Sequence, residues 1–168
     1  GEGRKGVHAG IQDIISKLYK DNLSSIVPSA ELRERVSGNA NLDHFEGVGK
    51  TVAIDIEAAI QQNHIALNDD SRILDFGCGC GRVLRWFWGL HSNCKFTGID
   101  IDPEAIAWCK SNLSHAADFH ATPEIPPLDF ADQSFDFIYS ISVMTHLPED
   151  MQMAWLKELR RITAVNGY

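Results

Sequence analysis

Residues 73–82, reading ILDFGCGCGR, constrain this 168-residue chain more than any other stretch. A short apolar run reaches an acid, Asp75, and is followed by glycines at alternate positions, Gly77, Gly79 and Gly81. Val83, Leu84, Trp86 and Phe87 then recur at helix-like spacing. The pattern is a strand, a tight turn and a helix start in direct succession. Glycine is required where the backbone takes positive φ or where a ligand touches bare main chain. A helix start adds unpaired N–H groups and a partial positive charge. A ligand bearing a carboxylate or phosphate is therefore expected at this turn.

Three kinds of glycine loop compete for the segment. A dinucleotide fingerprint, G-x-G-x-x-G/A, needs a small residue at position 82, where Arg82 stands. Further upstream, Gly47-Val48-Gly49-Lys50-Thr51 looks like the end of a phosphate-binding loop. The full motif needs glycine where His44 stands, and no strand-like run precedes it. Gly47 and Gly49 are expected instead to form a turn before a helix around Val52, Ile56 and Ile60.

The third kind fits. ILDFGCGCGR together with TGIDIDPEAI, residues 97–106, resembles the class I S-adenosylmethionine-dependent methyltransferases. Residues 134–147 and the helical pattern after them extend the resemblance to about Phe45 through Tyr168. It implies that Gly77, Cys78, Gly79 and Gly81 contact the methionine part of S-adenosyl-L-methionine. Asp75 would meet its amino group or orient the turn, and Asp100 would bind both ribose hydroxyls. An ionised carboxylate has acceptor sites for both, though the same logic serves the ribose of a nicotinamide cofactor. Ile101 would lie against the adenine or pack in the core, and Ser140 and Ile141 would line the cofactor through main chain. The adenine amine has no assigned partner; His120 and Asp118 stand near the place. His44 and Phe45 would cover the cofactor. His146 is the candidate general base, since an imidazole is the side-chain type suited to proton transfer under physiological conditions; the structural alternative is a histidine fixing the turn before Pro148. Ser140-Ile141-Ser142-Val143 replaces the Asn/Asp-Pro-Pro-aromatic signature of methyltransferases acting on bases or amides. The implied activity is methyl transfer to a small-molecule acceptor. The alternatives are a non-catalytic methyltransferase-like binding module and, disfavoured by Arg82, an oxidoreductase using NAD.

Composition sets the outer limits. An apolar content of 44% is enough for a core. A net charge of −8 argues against a nucleic-acid partner, leaving local basic pairs at Arg82/Arg85 and Arg160/Arg161. Cys78 and Cys80 are spaced too tightly for a zinc pair, so no metal is expected. Free thiols suit a reducing compartment. No apolar run approaches the roughly 20 residues of a spanning helix, so no membrane partner is expected and the cytoplasm is the default location.

Along the chain, Ile11, Ile14, Ile15 and Leu18 recur at helical spacing, and Ser29 is placed to cap a second helix through Arg35. Residues 38–49 read as loop and 52–62 as a third helix. Strands are predicted at 72–76, 95–99, 117–121 and 135–140, and helices at 82–90, 103–113 and 148–162. Asp102 caps the helix at 103, with Pro103 at its first position. Alternation of this kind gives an α/β fold: a Rossmann-like parallel sheet with helices on both faces, in order 3-2-1-4, plus N-terminal helices. The expected division is 1–44 as a helical extension or lid and 45–168 as the cofactor-binding domain. The chain ends where a fifth strand of the family would begin, leaving the fourth as a bare edge. A homodimer or a C-terminal segment would then complete the sheet.

Overall fold

Caps, more than periodicity, set the helices at the start of the chain. The computed structural model describes residues 10–13 and 26–168. Residues 10–13 are helical with Ile11 buried, while Ile14, Ile15 and Leu18 lie outside the described residues. Ser29 Oγ accepts the Leu32 N–H (3.2 Å) and opens α1 (Ala30–Ser37), as its sequence position predicts. Gly38 closes that helix in the left-handed conformation.

The next helix departs from expectation. α2 (Leu42–Gln62) begins well before Val52, because Asn41 Oδ1 accepts the His44 N–H (2.9 Å) and caps it there. Gly47 and Gly49 are thus helix interior and form no turn, and the expected boundary at 44/45 falls inside α2. Gly49 has a packing reason: a Cβ there would lie 2.2 Å from the Arg82 carbonyl oxygen. α3 (Leu84–Leu90) belongs to the same compact unit, which comprises the chain up to Leu67 together with Cys80–Ser92. Its Arg85 is only 1% exposed, donates to the Ile26 and Gly81 carbonyls, and sets its guanidinium 5.7 Å from the Phe45 ring centroid. Two expectations fail for that reason. Arg85 belongs to no surface basic patch, and Phe45, fully buried, is a core residue and no lid. Glu57 accepts hydrogen bonds from Gln61 and pairs with the His91 ring at 2.6 Å, tying the end of α2 to the end of α3.

The second unit, Asn68–Gly79 with Asn93–Tyr168, holds the sheet. β1 (Arg72–Phe76), β2 (Lys95–Asp100), β3 (Asp118–Ala121) and β4 (Phe137–Ser140) are all parallel and ordered β3-β2-β1-β4, as expected. Phe76 pairs with Ile99 on one side and Ser140 on the other, so the carboxyl ends of the three strands lie in line. Alternation across the pleat sorts the two faces. Leu74, Phe76 and Ile99 share a buried cluster with Trp155 and Ile162 of α5 (Glu149–Ile162). α4 (Pro103–Asn112) starts on its Asp102 cap and covers the opposite face, where Cys109 and the Cys78 thiol beside Gly98 meet. The Rossmann-like α/β architecture is therefore present, a parallel sheet whose strands alternate with helices along the chain.

Two features secure β4. Arg72 holds Asp136 through its backbone N–H and through both Nε and Nη2 of the guanidinium. The expected bare edge is partly satisfied: Tyr168 N–H donates to the Asp136 carbonyl (3.0 Å) and Ile138 N–H to the Tyr168 carbonyl (2.8 Å). Unpaired strand donors next to a returning chain take this pairing, since a buried orphan amide is costly.

Candidate cofactor site at the strand ends

β1 stops at Phe76 because Gly77 turns to φ +85°. Gly79 and Gly81 follow at +53° and +71°, a succession of left-handed residues that side chains resist. At Gly77 the reason is doubled, since a Cβ would lie 2.1 Å from Val143 Cγ2. The turn is sewn to β2. Gly77 and Cys78 both donate N–H bonds to the Ile99 carbonyl (2.8 and 2.9 Å), and Gly79 N–H donates to Asp100 Oδ2 (2.7 Å). These three amides are occupied within the protein.

Asp100 ends β2 with its carboxylate shared between two amides, Gly79 N–H at Oδ2 and Asp102 N–H at Oδ1 (2.9 Å). An ionised carboxylate offers about four acceptor sites, so two amides leave capacity for two further donors. Ile101, the next residue, is 55% exposed, which removes the core-packing alternative. Ser140 stands at the end of β4, where its buried Oγ has no hydrogen-bond partner among the described residues.

Asp75 is buried, 3% exposed, and its Oδ2 accepts the Tyr139 hydroxyl at 3.0 Å. Burial, and then the nearby Asp75 charge, pushes the Tyr139 phenol well above its ordinary pKa, so Tyr139 is the donor. The Cys78 thiol is also pushed well up, by burial first and then by its hydrogen bond with Cys109. Both thiols approach the Gly79 carbonyl at 3.5 Å. Cys78 therefore contributes backbone and packing here, since a thiol held protonated is a poor nucleophile.

After β4 the chain passes through Ser142, at φ +62°, into a single 3₁₀ turn, Met144–His146. His146 is exposed on that turn, and its ring makes no hydrogen bond among the described residues. His120 is exposed on β3, edge-on to the Phe130 ring at 6.0 Å, and Asp118 is exposed as well. The second unit thus brings together Asp75, Gly77, Cys78, Gly79, Asp100, Ile101 and Ser140 at or beside the carboxyl ends of the strands, while Gly81 belongs to the first unit. In open α/β sheets this is where ligands bind, at the point where strand order reverses. Sequence reasoning missed Tyr139. Its signal was a polar residue in an apolar strand predicted to lie beside β1.

The donor set suits an adenosine group carrying an amino acid: acceptor capacity at Asp100, an apolar exposed side chain next to it, and an unsatisfied hydroxyl at Ser140. A family model described as a methyltransferase domain matches residues 73–167. A malonyl-[acyl-carrier protein] O-methyltransferase of Erwinia pyrifoliae is 35% identical over 97 residues, covering 57% of this chain and 34% of that protein. The chain spans about a quarter to a third of the length of the curated relatives it matches. Among solved structures, PKMT2 from Rickettsia typhi in complex with AdoHcy is 25% identical with a TM-score of 0.53, covering 61% of this chain and 20% of that one. A SAM-dependent methyltransferase from Aquifex aeolicus gives a TM-score of 0.59 at 17% identity, covering 82% and 68%, a likeness of fold alone.

Proposed function

The chain belongs to the methyltransferase-domain family, and on that ground we propose that it binds S-adenosyl-L-methionine and transfers a methyl group to a small-molecule acceptor. One observation carries the reading: the turn and the acid of β2 are joined, Gly79 N–H to Asp100 Oδ2. The acid is thereby fixed next to the glycines and keeps acceptor sites for a ribose diol. Ile101 offers the adenine an apolar face, and Ser140 offers a hydroxyl and main chain. When bound, the cofactor supplies a methyl group already activated by its sulfonium. The chain's own task is alignment of the acceptor, an effect worth about 7–11 kcal/mol in favourable cases. His146, exposed just past β4, takes the proton of a hydroxyl acceptor. A net charge of −8 and the absence of an Asn/Asp-Pro-Pro-aromatic run support a small molecule over a nucleic acid.

The test is calorimetric titration with S-adenosylhomocysteine, with NAD and ATP as controls. Selective binding of S-adenosylhomocysteine is expected, and loss of that binding in Asp100→Ala. Binding of NAD in its place would end the proposal.

A further inference from the structure

We propose that Tyr139 is a positioning residue of this site: its hydroxyl, 3.0 Å from Asp75 Oδ2, fixes the carboxylate from which the glycine turn departs and through which the cofactor's amino group is recognised. The inference rests on the cofactor reading above and deepens it.

The geometry is specific. Asp75 and Tyr139 are register partners on adjacent strands, so their side chains share one face of the sheet. Both are buried, and the contact joins residues 64 apart in sequence. A buried carboxylate needs donors, because an unpaired charge in the interior is expensive. A buried phenol needs an acceptor for the same reason. Each meets the other's need, and the bond sits two residues before Gly77 at the root of the turn. Titratable groups near the pair include Cys78 on the turn, itself beside Cys109 of α4 and Asp100 at the end of β2. Tyr139 donates to Asp75 Oδ2, and burial keeps the phenol protonated as a donor. The β4 position matters as much as the residue type. A phenylalanine would fill the same space with no donor, and Asp75 Oδ2 would lose this cross-strand hydrogen bond.

The test measures the dissociation constant of S-adenosylhomocysteine from pH 5.5 to 8 for the wild type, Tyr139→Phe, Asp75→Asn and the double variant. Thermal unfolding of each protein establishes that it is folded. Tyr139→Phe is expected to weaken binding about tenfold, the order of a lost hydrogen bond to a charged group. The weakening should grow as pH falls, because a carboxylate deprived of a donor holds its proton to higher pH. In the Asp75→Asn background, Tyr139→Phe should change binding less than twofold. An equal effect in both backgrounds, or a pH profile parallel to the wild type's, would reduce Tyr139 to a packing residue and overturn the proposal. Should Tyr139→Phe not fold, Asp75→Asn decides alone: unchanged affinity removes Asp75, and Tyr139 with it, from the site. A wild type that binds no S-adenosylhomocysteine fells the cofactor reading together with the proposal. Wild-type binding with an indifferent Tyr139→Phe fells the proposal only.

Discussion

Two glycines, two residues apart on α2, have opposite roles. Gly47 is exposed in the helix interior, with nothing within 4 Å of an added Cβ, whereas Gly49 is pressed against the Arg82 backbone. Gly47→Ala should therefore stabilise the protein by about 0.5–1 kcal/mol, through the smaller backbone entropy of alanine. Gly49→Ala should destabilise it by about 1–3 kcal/mol through overpacking. Urea unfolding midpoints measure both, and equal signs would contradict the packing described. His146 is judged by activity. With an acceptor identified by transfer of a radiolabelled methyl group, His146→Ala should lower the rate about 10²–10⁴-fold; activity retained within tenfold removes it as the base. Why some residues could be read from sequence and others not follows from locality. The glycines and Asp100 announce themselves because their roles depend on neighbours in the chain or at the end of the next strand. Tyr139 depends on cross-strand register, and nothing within residues 47–51 distinguishes a turn from a helix whose glycines let another backbone close in.

α5 is fastened to the connector that precedes β4 by a small charged clip. Arg161 donates to the Glu158 and Asp132 carboxylates and to the Phe130 and Leu128 carbonyls, and Glu158 accepts the Leu128 N–H (2.7 Å). The Arg161 hydrogen bonds hold the Glu158 carboxyl below its ordinary pKa. A depressed carboxyl contributes stability that is complete above the unfolded value, near 4.3, and is lost as pH falls through the folded value. Glu158→Gln should thus cost about 1–3 kcal/mol at pH 7, as for a buried hydrogen bond to a charged group. It should also flatten the acid limb of stability between about pH 5 and 3. Urea titrations at pH 7, 5, 4 and 3 decide, and an unchanged acid slope would show that the clip is not titrating. Among the elements, the four strands, α4 and α5 were readable from alternation and caps. The early start of α2 was not, because its Asn41 cap lay within a stretch whose glycines argued for a loop. The partial cover of β4 by Tyr168 was equally hidden, being backbone pairing with no side-chain signature.

The sheet order was readable because alternating strands and helices with right-handed crossovers leave few topologies. The two compact units were not, since neither is continuous in sequence: the chain passes between them at residues 67–68, 79–80 and 92–93. The cysteines fall on both sides of that division, Cys80 in the first unit and Cys78, Cys94 and Cys109 in the second. Cys94 is half-buried, and the other three are buried. Under iodoacetamide, Cys94 should be alkylated first. Cys78 and Cys109, which share the Gly79 carbonyl, should follow at one common rate at least about tenfold slower, since each waits for a local opening. Peptide mass spectrometry with fragment ions resolves the sites, and unequal rates for that pair would mean that the turn and α4 come apart separately. Cys80, only two positions from Cys78, keeps time for the other unit. One alkylation time course therefore reads how often each half of the molecule opens, from atoms it already carries and with no label attached.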